Sequence, residues 1–257
     1  MIELIGDAIT EAEIQWAAAL MGLGAGGFAP YGDDDSRLRA MTNLETCDYE
    51  ACPGSGKTTL LVAKLAILAA RWSSREQGIC VLSHTNGARN EIGDRLSASA
   101  AAGALMRYPH FVGTIHSFVN EFLAAPWLRS QGYPIRVIDT QITLSKRMGA
   151  MADKWRLAME RRGLGLFALS YDAADFTGGR KGNLRVGTDL YQAMVAVSRQ
   201  NSKEGYFCFD EMFVWANQLL DRNPGAAADL RRRFPLVFID EAQDNSEIQS
   251  ARRTPRR

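Results

Sequence analysis

Apolar and polar positions along the chain alternate between two kinds of run. TTLLVAKLAILAARW, residues 58–72, spaces its apolar residues at helical intervals, whereas GICVLSH at 78–84 is a nearly continuous apolar block of strand length. NGARNEIGDRLSASA then predicts a second helix, FVGTI at 111–115 a strand, and HSFVNEFLAAPWL, from His116, a further helix. CDYEA at 47–51 is read as a strand that feeds a glycine-rich turn before the first of these helices. Strands alternating with helices predict an α/β fold, a parallel sheet covered by helices.

The flanks are read in the same way. Thr10 to Met21 predicts a short helix, with Thr10 and Glu13 at capping-box spacing, and GLGAGGFAPYGDDDS after it reads as a loop. Between Pro126 and Asn201 the strand rhythm stops. KRMGAMADKWRLAMERRG is helical and charged, and TGGRKGNLRVGTD reads as a polar loop, offering Arg180, Lys181 and Arg185 either as a solvated turn or as contacts to a nucleic-acid backbone. The sheet pattern returns with FDEMFVWANQLL, an apolar-striped helix, and PLVFID, a strand apolar on both faces. The expected organisation is therefore an α/β domain from residues 1–125 and 202–250, a helical insert over 126–201, and a disordered basic tail at 251–257.

Composition narrows this picture. With 46% hydrophobic and 23% charged residues the 257-residue chain is of globular type, and 30 basic against 29 acidic side chains leave a net charge of +1, so any nucleic-acid surface must be local. One imbalance is the ending ARRTPRR, with Arg252, Arg253, Arg256 and Arg257. Cys47, Cys52, Cys80 and Cys208 form no C-x-x-C pair and no zinc-type spacing with His84, His110 or His116, and are read as small apolar core residues of a reducing compartment. The start lacks the basic and apolar regions of a signal peptide, and no uncharged stretch of about 18 apolar residues spans a bilayer; a cytoplasmic protein is expected.

Two motifs carry chemistry. Ala51-Cys52-Pro53-Gly54-Ser55-Gly56-Lys57-Thr58, followed by Thr59, has the phosphate-loop pattern, with Ala51 in place of the first glycine. Gly54 and Gly56 let backbone N–H groups turn toward phosphate oxygens, and the helix that follows adds the positive end of its dipole. Lys57 can then reach the β- and γ-phosphates, and the Thr58 hydroxyl can ligate Mg²⁺. The plain structural alternative is a tight turn before a helix. In the second motif, Pro235 to Asp244, an apolar strand ends on Asp240 and Glu241, so Asp240 lies at the carboxyl edge of the sheet, where it can hold Mg²⁺ through water. Glu241 is placed to orient and deprotonate the water attacking the γ-phosphate, a role that fits hydrolysis better than small-molecule phosphorylation.

ACPGSGKT, SHTNGARNEI, GTIHSF and VFIDEAQD, in that order, resemble motifs I, Ia, Ib and II of superfamily 1 helicases of the UvrD/Rep type. Phe209-Asp210-Glu211-Met212 is similar to the stretch these enzymes carry ahead of motif II, and the nearest likeness is to the short UvrD-like helicases of anti-phage systems such as Gabija. The resemblance implies a RecA-like domain interrupted by a helical subdomain, with ATP and Mg²⁺ as cofactors. It implies that Gln243 senses the γ-phosphate and that Thr85, Asn86, Thr114 and His116 lie along single-stranded DNA. His116 and Phe118 can equally be packing residues. His84 stands where the family carries an aromatic residue, and no adenine-reading glutamine is identifiable, Gln15 having the wrong surroundings.

The resemblance also implies a second RecA-like motor domain supplying arginine fingers, and this chain ends 13 residues after Asp244. The expected function is thus the ATP-binding portion of a single-stranded-DNA-dependent ATPase and helicase, inactive as a helicase by itself, with a second motor domain or a nuclease as partner in trans. The alternative is a nucleotide- or DNA-binding module without turnover, completed by a partner.

Overall fold

The computed structural model describes residues 8–24, 26–29, 34–50, 52, 54–97, 100–179 and 184–240. Its chain packs into two units. One comprises the residues up to Thr114 together with those from Asp229, and the other runs from Ile115 to Ala228.

The first unit is built on three apolar strands, β1 (Ile79–Ser83), β2 (Phe111–Thr114) and β5 (Leu236–Ile239), parallel and in the order β2-β1-β5. Every residue of β1 is buried, as its apolar sequence requires of a central parallel strand. Cys80 pairs with Phe111 and Ser83 with Thr114 on one side; Ile79 pairs with Leu236 and Leu82 with Ile239 on the other. Against the sheet lies α3 (Lys57–Arg71), whose Val62, Leu65 and Ala66 share a core with Ile79, Val81 and Leu236.

α1 (Glu11–Leu20) closes this core with Ile14, Ala17 and Ala18, and its start is a capping box in which Thr10 and Glu13 bond each other's backbone. A short α2 (Ser36–Thr42) joins it, held by Lys64 of α3, whose Nζ donates to the carbonyls of Ala40 (2.8 Å) and Asn43. α4 (Asn86–Ser97) follows β1 and buries Ile92, Gly93 and Leu96; a one-turn α5 (Ala100–Gly103) follows.

Two sequence expectations differ here. Residues 47–50 of the expected CDYEA strand form no strand, and all of 45–50 are exposed. The reason is in the side chains: Glu45, Asp48 and Glu50 cannot be buried in a parallel sheet without partners. α2, conversely, lies at and just past the end of the loop read at 22–36, where no element was expected, its seven residues depending on tertiary contact rather than on pattern.

The second unit is mainly helical. α6 (Ile115–Val119) runs through a π-helical turn at Asn120–Ala124 into α7 (Ala125–Ser130). α8 (Thr140–Ala150), α9 (Asp153–Glu160) and α10 (Asp189–Lys203) share a core through Leu144, Met159 and Met194. Two strands absent from the sequence reading, β3 (Val137–Ile138) and β4 (Tyr206–Phe207), pair in parallel at its edge. α11 (Phe209–Arg222) packs with α6, the π-turn and α7, and α12 (Gly225–Arg233) leads back to β5. The packing boundaries therefore fall at 114/115 and 228/229, whereas the sequence rhythm broke near 125/126 and 201/202. α11 accounts for the difference: Met212, Phe213, Trp215 and Ala216 are buried on its inner face.

Among the described residues no helix is long and apolar enough to cross a membrane, and no group of three or more His, Cys, Asp or Glu side chains could hold a metal ion. Cys80 and Cys208 are buried, as the core reading expected, but Cys47 and Cys52 are exposed, because both lie in the polar segment that stays out of the sheet.

Candidate functional site

The phosphate loop is set by backbone conformation. Gly54 and Gly56 have φ of +79° and +89°, the left-handed region that side chains disfavour, and Gly56 is the N-cap of α3. A Cβ built on either glycine would meet nothing within 4 Å among the described residues. The turn is closed by Ser55 N–H donating to the Cys52 carbonyl (3.1 Å), and Leu60 N–H donates to Gly56 O (2.9 Å) as the first bond of the helix. Ser55 Oγ is buried and has no hydrogen-bond partner among the described residues. An orphaned hydroxyl beside two unfilled glycine positions at a helix N-terminus fits a bound phosphate chain.

Lys57, exposed, and the half-buried Thr58 and Thr59 form the first turn of α3, where N–H groups lack intrahelical acceptors. Ala51 and Pro53 lie outside the described residues. So do Glu241 and Gln243, together with Arg180, Lys181 and the tail at 251–257.

The carboxyl edge of the sheet carries the second group. Register places Thr114 beside Ser83, and Asp240, one residue beyond β5, donates its N–H to Leu82 O (2.8 Å). Thr114, Ser83 and Asp240 therefore end three adjacent strands, spanning about 10 Å at ordinary strand spacing. A threonine hydroxyl and a carboxylate are hard oxygen donors of the kind Mg²⁺ takes, so Thr58 and Asp240 fit that ion chemically.

Thr85 and Asn86 are exposed where β1 passes into α4. Thr85 organises that passage: its Oγ1 accepts from Ala88 N–H (3.2 Å), and its carbonyl accepts from Ser83 Oγ (3.1 Å) and Arg89 N–H (3.1 Å). His84, just before it, has its Nδ1 buried and unpartnered among the described residues.

His116 belongs to the other unit. There its ring meets Phe213 edge-on at 4.9 Å and Phe209 at 6.0 Å, a packing environment on α11. Phe118 stacks at a tilt on Phe122, 5.1 Å between centroids. Both contacts favour the packing alternative that the sequence left open.

One participant was not singled out from the sequence. Arg95 of α4 donates Nη1 to Thr59 Oγ1 (2.8 Å) and Nη2 to Glu91 Oε1 (2.7 Å). The Glu91–Arg95 spacing signals a helical ion pair, but nothing in a linear sequence points its guanidinium at residue 59.

The chain is 25% identical over 231 residues to DNA helicase II of Haemophilus influenzae, an alignment covering 84% of this chain and 31% of that protein, so the chain spans about a third of its relative's length. Residues 35–252 match the UvrD/REP helicase N-terminal domain, and the chain belongs to that family.

Proposed function

We propose that this chain is the ATP-binding portion of a single-stranded-DNA-dependent ATPase of the DNA helicase kind, acting on cytoplasmic DNA. The observation that carries the reading is the left-handed pair Gly54 and Gly56 at the start of α3, with the buried Ser55 hydroxyl between them that has no partner among the described residues. In this reading the loop amides, Lys57 and Thr59 bind the triphosphate, Thr58 and Asp240 hold Mg²⁺, Glu241 orients the attacking water and Gln243 senses the γ-phosphate. Bound Mg²⁺ supplies charge neutralisation at the phosphates. Thr85, Asn86 and Thr114 are small polar groups at strand ends, suited to bonding a DNA backbone without demanding a base sequence. His116 is assigned to the same strand by family likeness, with the aromatic contacts of its ring weighing against it.

Turnover by this chain alone is slight in this reading. The Arg95 guanidinium beside the loop helix is engaged by Glu91 and Thr59, and arginine fingers supplied by another domain are worth about 10³–10⁵ in rate. In this reading a second motor domain supplies those arginines.

The deciding experiment is calorimetric titration of the purified chain with ATP and Mg²⁺. Binding that is lost in Lys57→Ala and kept in Glu241→Gln is expected. Undiminished binding by Lys57→Ala would overturn the phosphate-loop assignment.

A further inference from the structure

Among the contacts of the first unit, the one between Thr59 and Arg95 joins two elements that the proposed function uses for different ligands. Thr59 is in the first turn of α3, one residue past the Mg²⁺ candidate Thr58. Arg95 is in the last turn of α4, whose other end begins at Asn86, about 13 Å away at the rise of an α-helix.

The Glu91–Arg95 pair is a poor source of stability. Its side chains are 52% and 41% exposed, and exposed pairs four apart contribute little. What the pair does geometrically is different: Glu91 holds one arm of the guanidinium, so the other arm is fixed on the Thr59 hydroxyl. A planar guanidinium suits this, because its donors keep a fixed angle to one another.

α4 is a stiff connector between the two ends. Its inner face is locked by buried Ile92, Gly93 and Leu96, and a Cβ on Gly93 would already press on Met106 at 3.3 Å. Its first turn is tied to Thr85 by two hydrogen bonds, from Ala88 N–H and Arg89 N–H, and Ser83 Oγ of β1 donates to the same Thr85 carbonyl. α4 thus links Thr85 and Asn86 at its start to Thr59 in the first turn of α3, through Arg95.

We propose that Arg95 is a positioning residue that couples occupancy of the strand end at Thr85–Asn86 to the phosphate loop, acting through Thr59. The inference rests on the functional reading above and adds to it a path for the coupling. By reciprocity, whatever factor DNA applies to ATP affinity, ATP applies to DNA affinity.

The test is titration of the purified chain with a fluorescent ATP analogue and Mg²⁺, with and without saturating oligothymidylate. For the unaltered chain, oligothymidylate should tighten nucleotide binding by about fivefold or more, the usual lower range of such coupling. In Arg95→Ala that gain should fall below about twofold, while affinity without DNA stays within about twofold and the thermal midpoint is unchanged. Glu91→Ala should reduce the gain in part, and Arg95→Lys, which keeps a charged donor group but not the fixed fork, should restore part of it.

Full coupling in Arg95→Ala overturns the proposal. So does a tenfold or greater loss of nucleotide affinity without DNA, because Arg95 would then be a direct ligand. An unaltered chain that binds both ligands without coupling also overturns it, and leaves the functional reading standing. Failure of the unaltered chain to bind either ligand instead overturns the functional reading, and this proposal with it.

Discussion

Arg147 and Glu211 meet as a fully buried ion pair, each side chain with no solvent exposure, joined by two parallel hydrogen bonds of 2.5 and 2.8 Å. Glu211 is simultaneously a capping residue, its Oε2 accepting from Cys208 N–H (2.9 Å) at the start of α11, and Arg147 also donates to Leu169 O (2.9 Å). Burial works against the charge on Arg147, but the facing carboxylate outweighs it and holds the guanidinium protonated. Three segments distant in sequence, α8, the turn at Leu169 and α11, thus depend on one pair. Removing either partner strands the other charge, so Glu211→Gln or Arg147→Met should each cost about 3–5 kcal/mol in urea unfolding. Replacing both with apolar residues should cost far less than the two losses added, a difference that a double-mutant cycle measures directly.

Acid sensitivity should come in two steps with separable origins. His110 Nδ1 accepts from Ile79 N–H (3.0 Å), and its ring stands edge-on to Trp72. Burial, then the nearby Arg233 charge, lowers it to about 4. The folded state therefore resists a proton that the unfolded chain takes up near 6.5, and stability should fall as pH drops from about 6.5 to about 4. Glu13 is lowered to about 2, chiefly by its hydrogen bond from Arg71, so its contribution is present above about 4.5 and is lost as pH falls toward 2. Urea midpoints measured across pH should lose the upper step in His110→Asn and the lower one in Glu13→Gln.

Patterning made the main elements readable because their environments are one-sided. β1 is apolar throughout and lies at the sheet centre, β5 repeats that composition, and the Thr10–Glu13 spacing declared the start of α1. What stayed hidden was decided by partners far away in sequence. Lys64 sits in an apolar helix face like a misplaced charge until Ala40 and Asn43 supply its acceptors, and Arg147 reads as surface until Glu211 appears 64 residues later. The expected strand at 47–51 shows the opposite error: a rhythm was completed where Asp48 and Glu50 forbid burial. In the candidate site, glycine spacing identified the loop, but the guanidinium that grips Thr59 comes from another helix.

A side chain at Gly54 or Gly56 would meet no described residue within 4 Å, as is also true at Gly22, Gly132, Gly163 and Gly187. Gly56→Ala therefore meets no clash and carries only the backbone penalty of a left-handed residue, about 1–2 kcal/mol. In the proposed reading a phosphate chain lies against this turn, and the added methyl group would crowd it. The variant should remain folded by circular dichroism with a modestly lowered midpoint, and should lose nucleotide binding by more than tenfold in the titration used for Lys57→Ala. Unchanged affinity would mean that phosphates do not approach this face.

Lys64 offers the sharpest local test of how the first unit is held. α2 is seven residues long, too short to be stable alone, and its last carbonyls are the groups a helix leaves without partners. The Lys64 ammonium, only 5% exposed, takes those of Ala40 and Asn43, and its charge also suits the negative end of the helix dipole. Lys64→Met keeps the aliphatic stem in the core and removes the donors, leaving two carbonyls unmet, for about 1–3 kcal/mol. Because the loss concerns α2 rather than the sheet, hydrogen exchange should quicken at residues 38–43 while β1 and the centre of α3 keep their protection. Equal loss of protection in β1 would show that α2 unfolds only with the whole unit.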